Sequence, residues 1–184
     1  MNYINAYLEE VKTICDNLDR HDLEQFYNIL KNLQGRCFVV GMGGSAANCS
    51  HLINDLRKLC SIDAQSPLDN VSELTARIND DGWDTCISNS LEVSKINEND
   101  CLLVLSVGGG SDTTSQPLVN AMRLAASKKA KIISIVSRDG GKAKQMSDAC
   151  VLIPILDEKR ITPHAEEFQA IIWHMIVNFL KEDA

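Results

Sequence analysis

Four short apolar runs constrain what this chain can fold into more than any other feature. CFVVG from Cys37, CLLVLS from Cys101, KIISIVS from Lys131 and CVLIPI from Cys150 are apolar and rich in β-branched residues, and each is closed by Gly, Ser or Asp. They show little alternation of apolar and polar residues, so both faces must be buried, as in the central strands of a parallel sheet. Helical spacing fills the intervals at about residues 46–60, 84–95, 115–128 and 142–148, and a closing helix is expected over about 164–181. Upstream, Ile4, Leu8, Val11, Ile14 and Leu18 recur every three or four residues, which predicts an amphipathic first helix, with a second over about 22–33. A weaker strand is expected at 61–63, and the interval 66–82 reads as the least regular part, polar enough to cover a pocket. Strands alternating with helices predict an α/β fold: a doubly wound, mostly parallel five-stranded sheet flanked by helices, binding its ligand beyond the carboxyl edge.

Composition narrows the class. A chain of 184 residues fits one domain spanning 1–184. The net charge of -7 opposes nucleic-acid binding, and the one short basic cluster, Lys128, Lys129 and Lys131, falls where a helix ends and cations offset its dipole. Seven cysteines, an odd number with no CxxC pair, several of them inside predicted strands, argue for free thiols in a reducing compartment. The apolar runs are strand-length and the N-terminus has no basic start, so neither a membrane span nor a secretory signal is expected, and the expected location is cytoplasmic.

The chemistry should lie in the loops that follow the strands. GMGGSAAN at 41–48 passes directly from a strand into a helix, where glycine lets the backbone approach an anion and the free amides of the first helical turn point at it. SVGGGSDTTS at 106–115 repeats the arrangement, and SRDGGK at 137–142 ends a further strand. Two such loops on one edge favour a phosphate site over turns that merely want glycine. Gly41, Gly43 and Ala46 also fit the GxGxxA dinucleotide fingerprint, with Asp63 at the place of a ribose-binding acid.

His51 and Asp55, four apart on the helix opened by the first loop, share a face and can grip a metal or serve a substrate together. The last helix carries His164, Glu166, Glu167, Gln169 and His174. A solvated polar face, with His174 as a core histidine beside Trp173, explains the same spacing.

These residues resemble the sugar isomerase (SIS) domain family, and within it the branch acting on seven-carbon sugar phosphates. GMGGSAANCSH is similar to that branch's GNGGS followed by a helix with His-x3-Glu, LSVGGGS to its STSGNS phosphate loop, RINDDG to a GND segment, and DGGK at 139–142 to a recurring turn. The Gln-x7-His of the family's last helix falls on Glu166 and His174. The resemblance implies an aldose-ketose isomerase acting on sedoheptulose 7-phosphate through an enediol, with Asp55 as base and His174 as partner acid, and a role in supplying heptose for cell-surface polysaccharide. Gly43, Gly44, Ser45, Ser106, Gly109, Gly110, Ser111 and Asp80 would hold the substrate. A divalent metal, zinc, would be held by His51, Asp55, Glu166 and His174. It implies also a homotetramer with active sites between subunits, packed through the helices of residues 1–33.

The sequence departs from the pattern at Met42, Val107, Gly108, Asp55 and Glu166. Asp55 is one methylene shorter than Glu, and Glu166 adds a charge where the family has Gln. On one continuous helix Glu166 and His174 lie about 12 Å apart along the axis, and Glu167 is closer to the His174 face. The altered phosphate loop keeps a second expectation in view, a non-catalytic sugar-phosphate sensor or protein-binding regulator of the same fold.

Overall fold

A computed structural model describes residues 2–182. The ends of the expected 1–184 span, residue 1 and residues 183–184, lie outside the described residues. Five strands form one all-parallel sheet: β1 (Cys37–Gly41), β2 (Ala64–Gln65), β3 (Cys101–Leu105), β4 (Lys131–Val136) and β5 (Ala149–Leu152), in the order β2-β1-β3-β4-β5. β1 and β3 are buried at every position, which explains their unbroken apolar runs. Successive residues face opposite sides of the sheet. Cys37, Val39, Leu103, Leu105, Ile133 and Ile135 point into one core, and Phe38, Val40, Leu102, Val104, Ile132 and Val136 into the other.

Helices α1 (Asn2–Asn17), α2 (Arg20–Lys31), α3 (Gly44–Cys60) and α8 (Ile161–Glu182) cover the first core. α4 (Val71–Asp80), α5 (Cys86–Val93), α6 (Gln116–Ser127) and α7 (Gly141–Met146) cover the second. Short 3-10 turns at Trp83–Thr85 and Glu158–Arg160 precede α5 and α8. Lys128 pairs with Glu92 at 2.8 Å and Lys131 with Asp148 at 2.7 Å, so two members of the basic cluster are neutralised locally. At the amino edge of the sheet, buried Asp100 accepts from the Arg36 backbone and side chain, both at 2.8 Å, tying the start of β3 to that of β1.

Two expectations are corrected. The interval 66–82 contains the regular helix α4, capped by Asn70, whose Oδ1 accepts from Glu73 N at 3.2 Å, and braced by the Arg77–Glu73 pair at 2.8 Å. Its apolar side is only Leu74 and Ile78, too thin a stripe to stand out from polar neighbours. The edge strand β2 falls just after 61–63, because Ser61 takes a left-handed conformation that ends α3 and the chain must turn before it pairs. The apolar stripe of α1 is divided: Ile14 is buried, but Ile4 and Leu8 face outward beside Tyr3. α2, in contrast, buries Phe26 and Leu30 in the core.

Among the described residues, no helix is long and apolar enough to cross a membrane. All seven cysteines are free.

Candidate active site

Strand register decides where the loops go. Leu105, the last residue of β3, pairs with Gly41 at the end of β1 and with Ile135 near the end of β4. The three glycine-rich loops therefore leave the sheet side by side and line one cleft of about 470 Å³, with Ser45, Ser106, Ser111 and Gly141 in its wall. The first loop feeds α3, whose first intrahelical bond runs from Ala46 N to Gly43 O at 3.0 Å, so the amides of Gly44 and Ser45 precede it at the positive end of the helix dipole.

Gly43, at φ +61°, makes the turn into α3, and Gly109 and Gly110, at φ +69° and +79°, bend the second loop. A Cβ on Gly109 would strike the carbonyl oxygen of Gly140, so the second and third loops touch backbone to backbone. Ala143 N donates to Gly109 O and Lys142 N to Gly110 O, both at 2.9 Å, which locks them together. Ser106 Oγ accepts from Gly109 N at 3.0 Å. Ser111 Oγ accepts from Thr113 N and Thr114 N at 3.2 and 3.1 Å. Buried Ser45 accepts from Gln169 Nε2 at 3.0 Å, leaving its own O–H to donate.

α3 and α8 run side by side, and a polar seam follows their contact away from the cleft. Glu166 lies against Gly44, where any side chain would collide with its carboxylate. Next, Asn48 Nδ2 bridges Glu166 O at 3.0 Å and Gln169 Oε1 at 2.9 Å. Further along, His51, Asp55 and His174 converge, with one ligand atom from each lying within 4.8 Å of the others.

Asp55 Oδ2 lies 3.6 Å from His51 Nε2 and 3.5 Å from His174 Nε2, and it accepts from Trp173 Nε1 at 3.3 Å. Asn54 Nδ2 holds the other oxygen at 3.1 Å. His174 Nδ1 lies 2.8 Å from the carbonyl of Ala170, which can only accept, so that nitrogen carries the proton. A neutral His174 would then turn the Nε2 lone pair toward a carboxylate oxygen, two acceptors facing each other. A cation placed between them would satisfy both. Zinc lies about 2.0–2.2 Å from His and Asp donors, which places tetrahedral ligand atoms about 3.4 Å apart; the two pairs that include Asp55 Oδ2 are close to this, at 3.6 and 3.5 Å, and all three atoms lie within 4.8 Å. The donor set fits such an ion, with a fourth position open for water or substrate.

The structure therefore separates residues that the family resemblance grouped. Glu166 does not join the cluster, because eight residues of continuous helix carry it to the level of Gly44 while His174 reaches Asp55. Asp80 ends α4 on the exposed surface, where it accepts from Asn79 Nδ2 at 2.7 Å, and it is not part of the cleft wall. Asp63 is overturned as a ribose-binding acid. It precedes β2 at the amino edge, where its carbonyl accepts from Cys37 N at 2.9 Å, so it faces away from the loop cleft. Trp173 and Asn48 are the residues that spacing did not single out, and Gln169, one of the polar residues noted on the last helix, joins them in the seam. Each acts across the α3–α8 contact, which no local pattern marks.

No family model matches the chain. A phosphoheptose isomerase of Helicobacter pylori (strain ATCC 700392 / 26695) is 28% identical over 183 residues, covering 96% of this chain and 91% of that protein. The structure of a phosphoheptose isomerase from Neisseria gonorrhoeae superposes with a TM-score of 0.83 at 22% identity, covering 97% of this chain and 96% of that one. One from Francisella tularensis gives 0.82 at 20% identity, covering 98% and 95%. In sequence and in fold, then, this chain is similar over nearly its whole length to the phosphoheptose isomerases of the sugar isomerase family.

Proposed function

We propose that the chain is an aldose-ketose isomerase that converts sedoheptulose 7-phosphate into a heptose 7-phosphate through an enediol. The observation that carries this reading is the polar seam, which begins at the glycine-lined cleft and ends at a His/Asp/His cluster in the same chain. Its length suits the substrate. His51 and Asp55 lie six and ten residues beyond Ser45 on α3, about 9 and 15 Å along the axis, and helical side chains lean back toward the N-terminus. In an extended seven-carbon sugar phosphate, C2 is seven bonds from phosphorus, about 8–9 Å at the per-bond rise of an extended chain. A triose phosphate, with only three such bonds, falls short.

In this reading the loop amides and the hydroxyls of Ser45, Ser106 and Ser111 hold the phosphate, and that remote binding energy positions the reacting carbons. Asp55 takes the proton from C1 of the ketose and returns it to C2, and His174 exchanges protons with the two oxygens. The same three side chains, His51, Asp55 and His174, would hold a divalent cation, zinc; with it bound, His174 Nε2 would be a ligand, Asp55 would act through its other carboxylate oxygen, and the Lewis acid would supply the stabilisation of charge on the enediolate oxygens in place of the imidazole. Trp173 and Asn54 fix the Asp55 carboxylate so that it meets the substrate in one orientation.

The active unit is proposed to be a homotetramer. Half-exposed His51 and His174 leave the cluster open on one side, and the outward apolar residues of α1 offer a packing surface.

The test is to incubate the protein with sedoheptulose 7-phosphate and follow aldose formation, alongside metal analysis. Isomerisation with one zinc per chain supports the reading. A metal-free, inactive protein that captures sugar phosphate tightly would replace it with that of a sensor.

A further inference from the structure

The phosphate cleft poses a charge problem that its loops do not solve. A sugar phosphate brings a charge of about -1.5 to -2 at neutral pH, yet many of the loop amides are already engaged. Those of Gly109, Ser111, Thr113 and Thr114 bond within the second loop, and those of Gly141 and Lys142 bond to Asp139 and Gly110. Lys142 extends to Asp112, 3.1 Å away, and so is offset by a carboxylate.

Among the described residues, Arg138 is the only cationic one in the cleft wall. It lies two residues beyond the end of β4, with φ at +55°, a left-handed conformation unfavourable for a side chain of this kind. Its side chain lies over Gly108, with Cδ 3.5 Å and Nε 3.8 Å from the point a Cβ there would occupy. The backbone beneath is firm: Ser137 N donates to Val107 O at 2.9 Å, and buried Ser137 Oγ donates to Ile153 O at 2.9 Å. Among the described residues, no carboxylate pairs with this guanidinium. An arginine held over a glycine-lined anion cleft and left without a counter-ion has the geometry to bind phosphate through two parallel N–H donors.

We propose that Arg138 is the charge-neutralising ligand of the substrate phosphate, the residue that makes the cleft select phosphorylated over neutral sugars. The proposal rests on the sugar-phosphate reading of the same cleft. Arg138 is a binding residue here and does not touch the reacting carbons, so its loss should appear first in KM, with a smaller fall in kcat from the lost positioning of the reacting carbons.

Two variants of the full chain test it, with inorganic phosphate as the probe. Arg138→Gly removes the guanidinium and relaxes the left-handed backbone, so folding is not at risk, and Arg138→Lys keeps a charge without the fork. Calorimetric titration is expected to give at least tenfold weaker phosphate binding for Arg138→Gly and an intermediate value for Arg138→Lys. With sedoheptulose 7-phosphate, Arg138→Gly should raise KM at least tenfold while kcat stays within about threefold. Equal phosphate affinity in the parent protein and Arg138→Gly overturns the proposal, as does an unchanged KM. If phosphate binding depends on Arg138 but no sugar phosphate is isomerised, the proposal stands and the isomerase reading fails.

Discussion

Asp55 is the side chain on which the most interactions of the proposed site converge. One of its oxygens meets an indole N–H and two imidazoles, and the other meets an amide. Asp55→Asn keeps the shape but removes the base, so aldose formation should fall by about 100-fold or more, in the range that general bases contribute. A progress curve with full activity would remove Asp55 from the mechanism. His51→Ala should abolish stoichiometric zinc in metal analysis while leaving the fold intact, since His51 is exposed and buries little. The four-residue interval between His51 and Asp55 made their common face legible from spacing alone. That His174, and not Glu166, completes the group was not legible, because spacing along α8 gives the distance between its residues but not which of them lies opposite Asp55.

At the scale of elements, two contacts make predictions. The second and third loops meet at Gly109, where positive φ and the Gly140 carbonyl both exclude a Cβ. Gly109→Ala is expected to cost about 2–4 kcal/mol from backbone strain and overpacking combined, read from denaturant unfolding, and to weaken phosphate binding with it. α1 is fastened to the start of α8 by Glu10, which meets Arg160 Nε at 2.8 Å and His164 Nε2 at 2.8 Å. The hydrogen bond from Arg160, with that from His164, holds the Glu10 carboxyl down at about 2. A lowered carboxyl stabilises the fold fully above its ordinary value of 4.5 and loses that contribution as pH falls toward about 2. Thermal melts of the parent protein and Glu10→Gln should therefore differ at neutral pH and converge on acidification. A constant gap would show that the contact acts by packing alone. Helix α4 marks the limit of periodicity at this scale: with only Leu74 and Ile78 inward, it depends on its Asn70 cap and Arg77 pairs, which a search for apolar stripes does not register.

For the whole molecule, the outward apolar residues of α1 predict assembly. Leu8→Glu, at a residue 53% exposed in the single chain, should shift light-scattering mass from the proposed tetramer toward smaller species without unfolding the chain. An unchanged mass would exclude α1 from the interface. What the sequence by itself determined is what acts within a few residues: strands buried on both faces, helices between them, and glycine where strand ends turn toward an anion. Neighbouring residues set backbone conformation and burial, so these features are written locally. Only the tertiary structure decided that three loops share one cleft, that α3 and α8 bring His174 to Asp55 across 118 residues of chain, and that Glu166 and Asp63 lie elsewhere. Those outcomes depend on strand order, register and helix packing, which arise from the simultaneous burial of both sheet faces and leave no mark at any one position.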